Sequence, residues 1–354
     1  MAKKKPIRLM VLGTGGMAHT HTEAFQKIPG VKIVAAVDTN ADRLSKFQAE
    51  YDVPAGYGTL NEALMGGGFD AVANVTPDGV HYSTTMTLLN SGKHVLCEKP
   101  LATSYAHARE MADTANATGL VNMVNLTYRN VPAMQHAADM VQAGEIGEIR
   151  HFEASYLQSW LTQPAWGRWD VEDQWLWRLS SKHGSKGVLG DVGIHILDFA
   201  TYVAGLPVTE VSARLKTFHK APGDQIGPYV LDANDSCTMN IELGNGAIGS
   251  VHCSRFATGH LNDLQLRIFG TTGALDVRFI NKVSSLYACT GDLTKAEWHK
   301  VRTPQVRTNY ERFVAALRGE PHRGPSFERG AELQAILDAA EVSDAQKGVA
   351  ITLG

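Results

Sequence analysis

The chain predicts an α/β domain followed by an α+β domain, and three observations carry that expectation. Short apolar runs alternate with helix-length stretches as far as about residue 126. A glycine-rich turn separates the first apolar run from the first helix. From about Glu148 the alternation gives way to successive strand-like segments with tight turns. The first pattern means a parallel sheet wound on both faces, the last a mainly antiparallel sheet. A length of 354 residues fits two domains, placed at 1–126 and 127–354.

Ile7–Leu12 forms the first strand and runs into Gly13-Thr14-Gly15-Gly16-Met17-Ala18, a Gly-x-Gly-x-x-Ala turn opening a helix to about Lys27. The first glycine makes the turn, and the second lets the backbone approach a pyrophosphate. The small third residue lets helix and strand pack closely. A phosphate would meet the helix N-terminus, where free N–H groups and the dipole favour anions. Gly13, Gly15, Gly16 and Met17 are therefore coenzyme-binding candidates. A lone glycine pattern also fits other strand–turn–helix units, but here a second strand, Val31–Val37, ends in Asp38, twenty residues after Ala18. An acid at that place bonds the ribose hydroxyls of a dinucleotide and repels a 2′-phosphate, so NAD is expected over NADP; Arg43 lies close enough to temper the preference.

Helices are expected around Ala41–Glu50 and Leu60–Met65, then a strand at Ala71–Val75, a helix at Val80–Ser91, and a strand at His94–Cys97. A helix at Tyr105–Thr118 and a strand at Val121–Leu126 complete this Rossmann pattern. Ligands of such sheets bind beyond the carboxyl ends of the strands. Thr76, His81, Glu98, Lys99 and Asn125 fall at or just after those ends, so all five join the coenzyme-site candidates. Each is also explicable singly as a polar strand terminus.

Later strands are expected at Glu148–Leu157, Thr209–Phe218, Asp235–Leu243, Ala247–Ser254, Leu264–Phe269 and Val283–Cys289. Gly244-Asn245-Gly246 signals a hairpin. Helices are expected at Pro132–Ala143, Thr308–Arg318 and Gly330–Ala345, with another carrying Asp191 and His195.

Composition narrows the function. The formal net charge is −3 and the only basic cluster is Lys3-Lys4-Lys5, so no nucleic-acid or membrane partner is expected. No apolar run approaches the ~18–20 residues of a membrane span, and the start does not read as a secretory signal. Cys97, Cys237, Cys253 and Cys289 are scattered, as reduced thiols of a cytoplasmic protein would be.

Asp191 and His195 lie four residues apart in Gly190-Asp191-Val192-Gly193-Ile194-His195-Ile196-Leu197-Asp198. In an α-helix four residues turn ~400° and rise ~6 Å, which puts carboxylate and imidazole on one face. Such a pair is common as a surface contact. Beside a nicotinamide it acquires a chemical use, in which His195 shuttles a proton and Asp191 orients it or binds a hydroxyl. Lys99, at a strand end on the coenzyme side, can stabilise a developing alkoxide. Five of the six tryptophans (Trp160, Trp166, Trp169, Trp175 and Trp177) fall within eighteen residues just before this stretch. Indole faces pack on sugar C–H faces, although tryptophans also fill cores and interfaces. Arg178 offers a fork of donors for vicinal hydroxyls, so Trp177 and Arg178 are candidate substrate contacts. A metal hydrolase built on His183, Asp191, His195 and Asp198 is not expected. No His-Glu-x-x-His or paired-cysteine motif accompanies them, and His19 and His21 project from different helix faces.

Gly13-x-Gly15-x-x-Ala18, Glu98-Lys99-Pro100 and Gly190-Asp191-x-Gly193-x-His195-x-x-Asp198 together resemble the Gfo/Idh/MocA oxidoreductases, the family of glucose–fructose oxidoreductase and inositol 2-dehydrogenase. The resemblance implies a Rossmann domain followed by a large open, mainly antiparallel sheet, with homodimers or homotetramers formed through that sheet. It implies Lys99, Asp191 and His195 as the catalytic set and reversible NAD-dependent oxidation of a cyclic polyol, a sugar or an inositol. Two alternatives remain within the family: an NAD-dependent glycoside hydrolase using transient sugar oxidation, and a non-catalytic NAD-binding regulator. The presence of both Lys99 and His195 argues against the regulator.

Overall fold

The computed structural model describes residues 5–183 and 186–354. The chain divides into two units, Met1–Leu126 with Arg307–Gln334, and Thr127–Val306 with Ala335–Gly354.

The first unit holds six parallel strands: β1 (Ile7–Leu12), β2 (Val31–Val37), β3 (Ala55–Tyr57), β4 (Ala71–Asn74), β5 (His94–Cys97) and β6 (Asn122–Val124). Their order is β3-β2-β1-β4-β5-β6, which reverses direction between β1 and β4. That reversal opens a crevice at the carboxyl ends of these two strands, where doubly wound sheets bind ligands. The connecting helices are α1 (Gly16–Gln26), α2 (Ala41–Tyr51), α3 (Leu60–Gly66), α4 (His81–Asn90) and α5 (Tyr105–Thr118). Side chains fix where several of them begin. Asn40 accepts from Arg43 N at the start of α2, and Thr59 and Glu62 cap α3 reciprocally. Strand β3 was not expected. Its three residues, Ala-Gly-Tyr, carry no alternation, and only pairing with β2 makes them a strand.

The sequence division placed 127–354 in one domain, and the structure corrects it: Arg307–Gln334 belongs with the first unit. Thr308 and Glu311 cap the helix Asn309–Leu317 reciprocally. Its apolar face puts Tyr310, Phe313 and Val314 into the core with Phe25, Leu96 and Met123. Backbone bonds follow suit, with Val124 N donating to Pro325 O. A helical period shows that a segment is amphipathic but not which core it will cover.

The second unit begins with α6 (Pro132–Gln142) and β7 (Ile149–Leu157), followed by a short helix α7 (Asp173–Leu176) and then α8 (Ile194–Ala204). The strands after it are β8 (Val208–Lys216), β9 (Gln225–Ile226), β10 (Tyr229–Val230), β11 (Ser236–Leu243), β12 (Ile248–Ser254), β13 (Asp263–Gly270), β14 (Ala274–Ile280), β15 (Val283–Cys289), β16 (His299–Val301) and β17 (Ile351–Thr352). Nine of the strands form one sheet, in the order β16-β15-β14-β13-β7-β12-β11-β8-β17. Only β7 and β12 pair in parallel, so the sheet is mixed and mostly antiparallel. The hairpin at Gly244-Asn245-Gly246 joins β11 to β12, with Gly246 at φ +80° and Asn245 Oδ1 accepting from Ala247 N. Alternation along β11 buries Cys237, Met239, Ile241 and Leu243, the mark of a sheet covered on one face. Helices α6 and α8 lie against this sheet. Strands β14, β16 and β17 were not expected. Asp276 and Arg278 interrupt the apolar run of β14 by pairing within the strand, and the other two are too short to show a period.

The four cysteines are free thiols. Among the described residues no helix is long and apolar enough to cross a membrane.

Phe313 is fully buried in the first unit. Phe313→Ala should therefore destabilise that unit by about 3–5 kcal/mol. In denaturant melts followed by fragment-resolved proteolysis, peptides 7–126 should become cleavable earlier than peptides of the nine-stranded sheet. Simultaneous loss of both would contradict the division.

Candidate active site

At the β1–α1 turn, Gly13 has φ +89°, and a Cβ there would stand 2.8 Å from Val75 O. Only glycine fits. Around Gly15 and Gly16 the space is open, with nothing within 4 Å of where a Cβ would stand. Among the described residues no side chain caps the N-terminus of α1, which leaves its first N–H groups for an anion. Met17 is exposed beside them. At the end of β2, Asp38 accepts from Thr14 N (2.9 Å), Thr14 Oγ1 (2.7 Å) and Asn40 N (2.8 Å). Arg43 adds a two-pronged ion pair, with Nη2 to Oδ1 at 2.8 Å and Nε to Oδ2 at 3.1 Å. Burial pushes the Asp38 carboxyl up, but these donors outweigh it and hold it well below the usual range. The open glycine turn, bare helix N-terminus and terminal acid all fit a dinucleotide.

The carboxyl end of β5 is organised differently from expectation. Glu98 is buried, and its Oε1 accepts from His21 Nε2 and Asn125 Nδ2, both at 2.7 Å. Its Oε2 accepts from Lys99 N at 3.2 Å. Tyr310 packs edge-on to His21, with ring centroids 5.0 Å apart. Burial pushes the Glu98 carboxyl up, but the bonds from His21 and Asn125 and the charge of Lys99 bring it down to about 2. Glu98 and Asn125 were expected to touch the coenzyme; the structure turns them inward, where they hold the strand end beside Lys99. His81 is corrected likewise. Its Nδ1 lies 2.7 Å from Pro100 O and its Nε2 lies 2.7 Å from Thr76 O. Carbonyl oxygens only accept, so both nitrogens carry hydrogen and the ring is an imidazolium. It braces the β4 and β5 ends to each other. Thr76 spends its hydroxyl on Asn74 Oδ1 at 2.7 Å. Lys99, half-buried, follows directly on Glu98.

In the second unit, Leu189–Gly193 is a π-helical turn, and α8 continues from Ile194. Asp191 lies in the wide turn, and His195 follows in the first turn of the α-helix. Such turns recur at functional sites. Asn234 stitches the turn in place: its Oδ1 accepts from Leu189 N, its backbone O from Val188 N, and its Nδ2 donates to Lys186 O. The motif glycines are there for packing. A Cβ on Gly190 would meet Lys186 Cβ at 2.7 Å, and one on Gly193 would meet Leu189 Cδ1 at 3.3 Å.

Asp191 is a quarter exposed. Its Oδ2 accepts from Arg255 Nη2 at 3.0 Å and lies 3.8 Å from Arg178 Nε. Arg178 in turn stacks over Trp177 at 4.4 Å and lies 5.5 Å from Trp175. The structure thus brings Asp191, Arg178 and Trp177 into one chain of contacts. Trp160, Trp166, Trp169 and Trp175 instead pack mainly with Leu161, Leu176, Leu179 and Leu231. A cavity of ≈ 190 Å³ lined by Trp160, Trp169 and Arg168 adjoins them. His195 is buried, with the Tyr128 ring edge-on at 5.0 Å. Tyr128 and Tyr156 share a hydroxyl contact of 2.5 Å, and burial pushes the Tyr128 hydroxyl up to about 12. Asp198, the last acid of the motif, forms a buried fork–fork pair with Arg129 at 2.6 and 2.7 Å.

Sequence reasoning missed Arg255, His21, Tyr128 and Tyr156. Arg255 does leave a trace, as a charged residue closing the alternating run of β12. His21 was weighed only as a metal ligand, whereas its burial on α1 points it at Glu98.

Residues 7–126 match the oxidoreductase family with an NAD-binding Rossmann fold, and residues 134–276 match the Gfo/Idh/MocA C-terminal domain. The chain belongs to this family of NAD-binding oxidoreductases. It is 28% identical to scyllo-inositol 2-dehydrogenase (NAD(+)) of Bacillus subtilis over 271 residues, 76% of this chain and 73% of that one. It is 31% identical to levoglucosan dehydrogenase of Pseudarthrobacter phenanthrenivorans over 214 residues, 56% of this chain; the match spans only 53% of that relative. A solved levoglucosan dehydrogenase in complex with NADH and levoglucosan has the same fold, with a TM-score of 0.86 at 22% identity over 99% of this chain and 100% of that one.

Burial opposes the charge on His81, but Cys97 and the Pro100 and Thr76 carbonyls outweigh it, and its pKa is pushed up to about 9. A folded-state pKa raised above the ordinary ~6.5 gives stability that is complete below that value and lost as pH rises through 9. The stability gap between wild type and His81→Gln should therefore shrink from pH 6 to pH 10 in denaturant titrations. A gap that stays constant would show that the ring is neutral.

Proposed function

We propose that this chain is an NAD-dependent dehydrogenase that oxidises a secondary hydroxyl of a cyclic polyol, a sugar or an inositol, by reversible hydride transfer. The setting of Asp191 carries the reading: a part-exposed carboxylate beside Arg178 and its indole neighbours, four residues before His195. Carboxylate, guanidinium and indole suit a ring with hydroxyls at its rim and C–H bonds on its faces. NAD, when bound, accepts the hydride. In this reading Lys99 stabilises the developing alkoxide, His195 takes the hydroxyl proton, and Asp191 and Arg178 hold neighbouring hydroxyls. Assembly as a homodimer or homotetramer through the nine-stranded sheet, and a cytoplasmic location, belong to the same reading.

The test is an absorbance screen of purified protein with NAD against inositol isomers, aldoses, lactones and anhydrosugars. NADH should appear with at least one free polyol; release of a sugar from a glycoside with no net NADH would favour the hydrolase instead. Lys99→Ala and His195→Ala should each cut turnover ~100-fold or more while NAD binding survives. Near-wild-type turnover in either variant would remove that residue from the set. Asp38→Ala should narrow the preference for NAD over NADP about tenfold, and an unchanged preference would reject Asp38 as the ribose ligand.

A further inference from the structure

Arg255 stands one residue beyond β12 and heads the largest wholly buried side chains of the described residues. A buried guanidinium is costly unless it is paired, so its partners indicate its use. Nη2 donates to Asp191 Oδ2 at 3.0 Å and to Gly187 O at 3.4 Å. Nη1 donates to Arg178 O at 3.1 Å, and the guanidinium lies 5.0 Å from the centre of the Trp160 ring. Its own backbone N–H donates to Asp235 O. Asp235 is in turn paired with Lys220 at 2.6 Å, both side chains fully buried. One residue thus touches the tryptophan-rich loop at both ends and the turn carrying Asp191 through its side chain, and the approach to a sheet strand through its backbone.

A cation serving the core alone is expected to face an acid as buried as itself. Lys220 and Asp235 show that arrangement, and so do Arg129 and Asp198. Arg255 instead holds an acid that is 25% exposed and shared with Arg178, itself 29% exposed. Among the described residues, the charged and titratable groups around Asp191 include Arg178 and Arg255, the Tyr128 and Tyr156 hydroxyls, His195 on α8, and Lys186, which is engaged by Asp338 and Glu341. Of these, Arg178 and Arg255 both join the carboxylate to the aromatic loop, and Arg255 is the one closed off from solvent.

We propose that Arg255 is a positioning residue that locks Asp191 and the tryptophan loop 158–178 into one body, so that ring substrates meet a carboxylate fixed relative to the indole wall. This rests on the polyol reading for its substrate, but not for its structural content. Arginine is needed for the fork: lysine keeps the charge but presents a single point, which cannot serve Asp191 and Arg178 O together in fixed geometry.

Arg255→Gln should lower kcat/KM for the polyol about 30-fold or more, mostly through KM, as expected when one partner of a buried charged pair is removed. Arg255→Lys should recover part of that loss, and NAD affinity, read by protein fluorescence, should not change in either. In an Asp191→Asn background, Arg255→Gln should add less than about twofold, because the two act as a unit. Full additivity, or a loss of NAD affinity as large as the change in KM, would overturn the proposal. Hydrogen exchange without substrate tests the lock directly. Peptides covering 158–178 and 186–193 should speed up together in Arg255→Gln and less so in Arg255→Lys, with strands β11 to β13 unchanged. Uncoupled segments, or loosening of the whole unit, would count against it; if Arg255→Gln does not fold, the lysine variant alone gives the same decision. Should no polyol be oxidised by the wild type, the dehydrogenase reading fails while exchange still decides on Arg255.

Discussion

The first unit depends on one buried anion, the carboxylate of Glu98. Alone, a carboxyl with so little exposure would take up a proton. His21 from α1, Asn125 after β6 and the Lys99 amide keep it charged, and Tyr310 from the returning helix packs on His21. Three separate stretches of chain are thereby tied to one strand end. The residue placed there is Lys99, so its backbone is set by the same bonds that satisfy Glu98. His81 completes the frame by pinning the next carbonyl, Pro100 O, to Thr76 O. The core above these strands closes only when Tyr310 and Phe313 arrive from a segment nearly two hundred residues later in the chain.

The second unit uses the same physics with the opposite emphasis. Asp191 and Asp198 lie seven residues apart on one continuous helical stretch, yet their surroundings assign them different work. Asp198 and Arg129 satisfy each other by two short bonds away from water, and Arg129 also stacks on Tyr202 at 3.5 Å. That pair fixes the helix and offers nothing to a ligand. Asp191, one π-helical turn upstream, is held from behind by Arg255 and keeps a side toward solvent. The wide turn and the small residues at 190 and 193 make this possible by bringing the helix start close to Cys253 and Lys186. His195 sits between the two acids under the Tyr128 ring, where burial restricts its orientation.

Local pattern made much of this legible in the sequence. The strand at Val283–Cys289 and the helix at Tyr105–Thr118 follow from run length, capping and glycine stops, and both stand where expected. The glycine turn and Asp38 were readable because their spacing is imposed by a fixed local unit. What stayed hidden was long-range partnership. No period in the chain tells that Tyr310 will cover Phe25, that Arg255 will meet Asp191, or that Glu98 will face inward toward His21. A π-helical turn is equally silent, since one inserted residue leaves the apolar pattern of α8 intact.

The Asp38–Arg43 pair shows how a residue picked out by motif spacing can still be read incompletely. Asp38 is nearly enclosed, with Thr14 and Asn40 bonded to it through groups that stay put. Arg43 is more than half exposed, so its ion pair is the soft part of the arrangement and is screened by solvent. Displacing Arg43 costs little, whereas displacing Thr14 would disturb the glycine turn itself. Ribose hydroxyls can therefore exchange with the guanidinium at the carboxylate without rebuilding the crevice. A 2′-phosphate would meet the enclosed anion and the exposed cation together. With Asp38 as the proposed ribose ligand, the acid would supply the direction of the preference and Arg43 would limit its size.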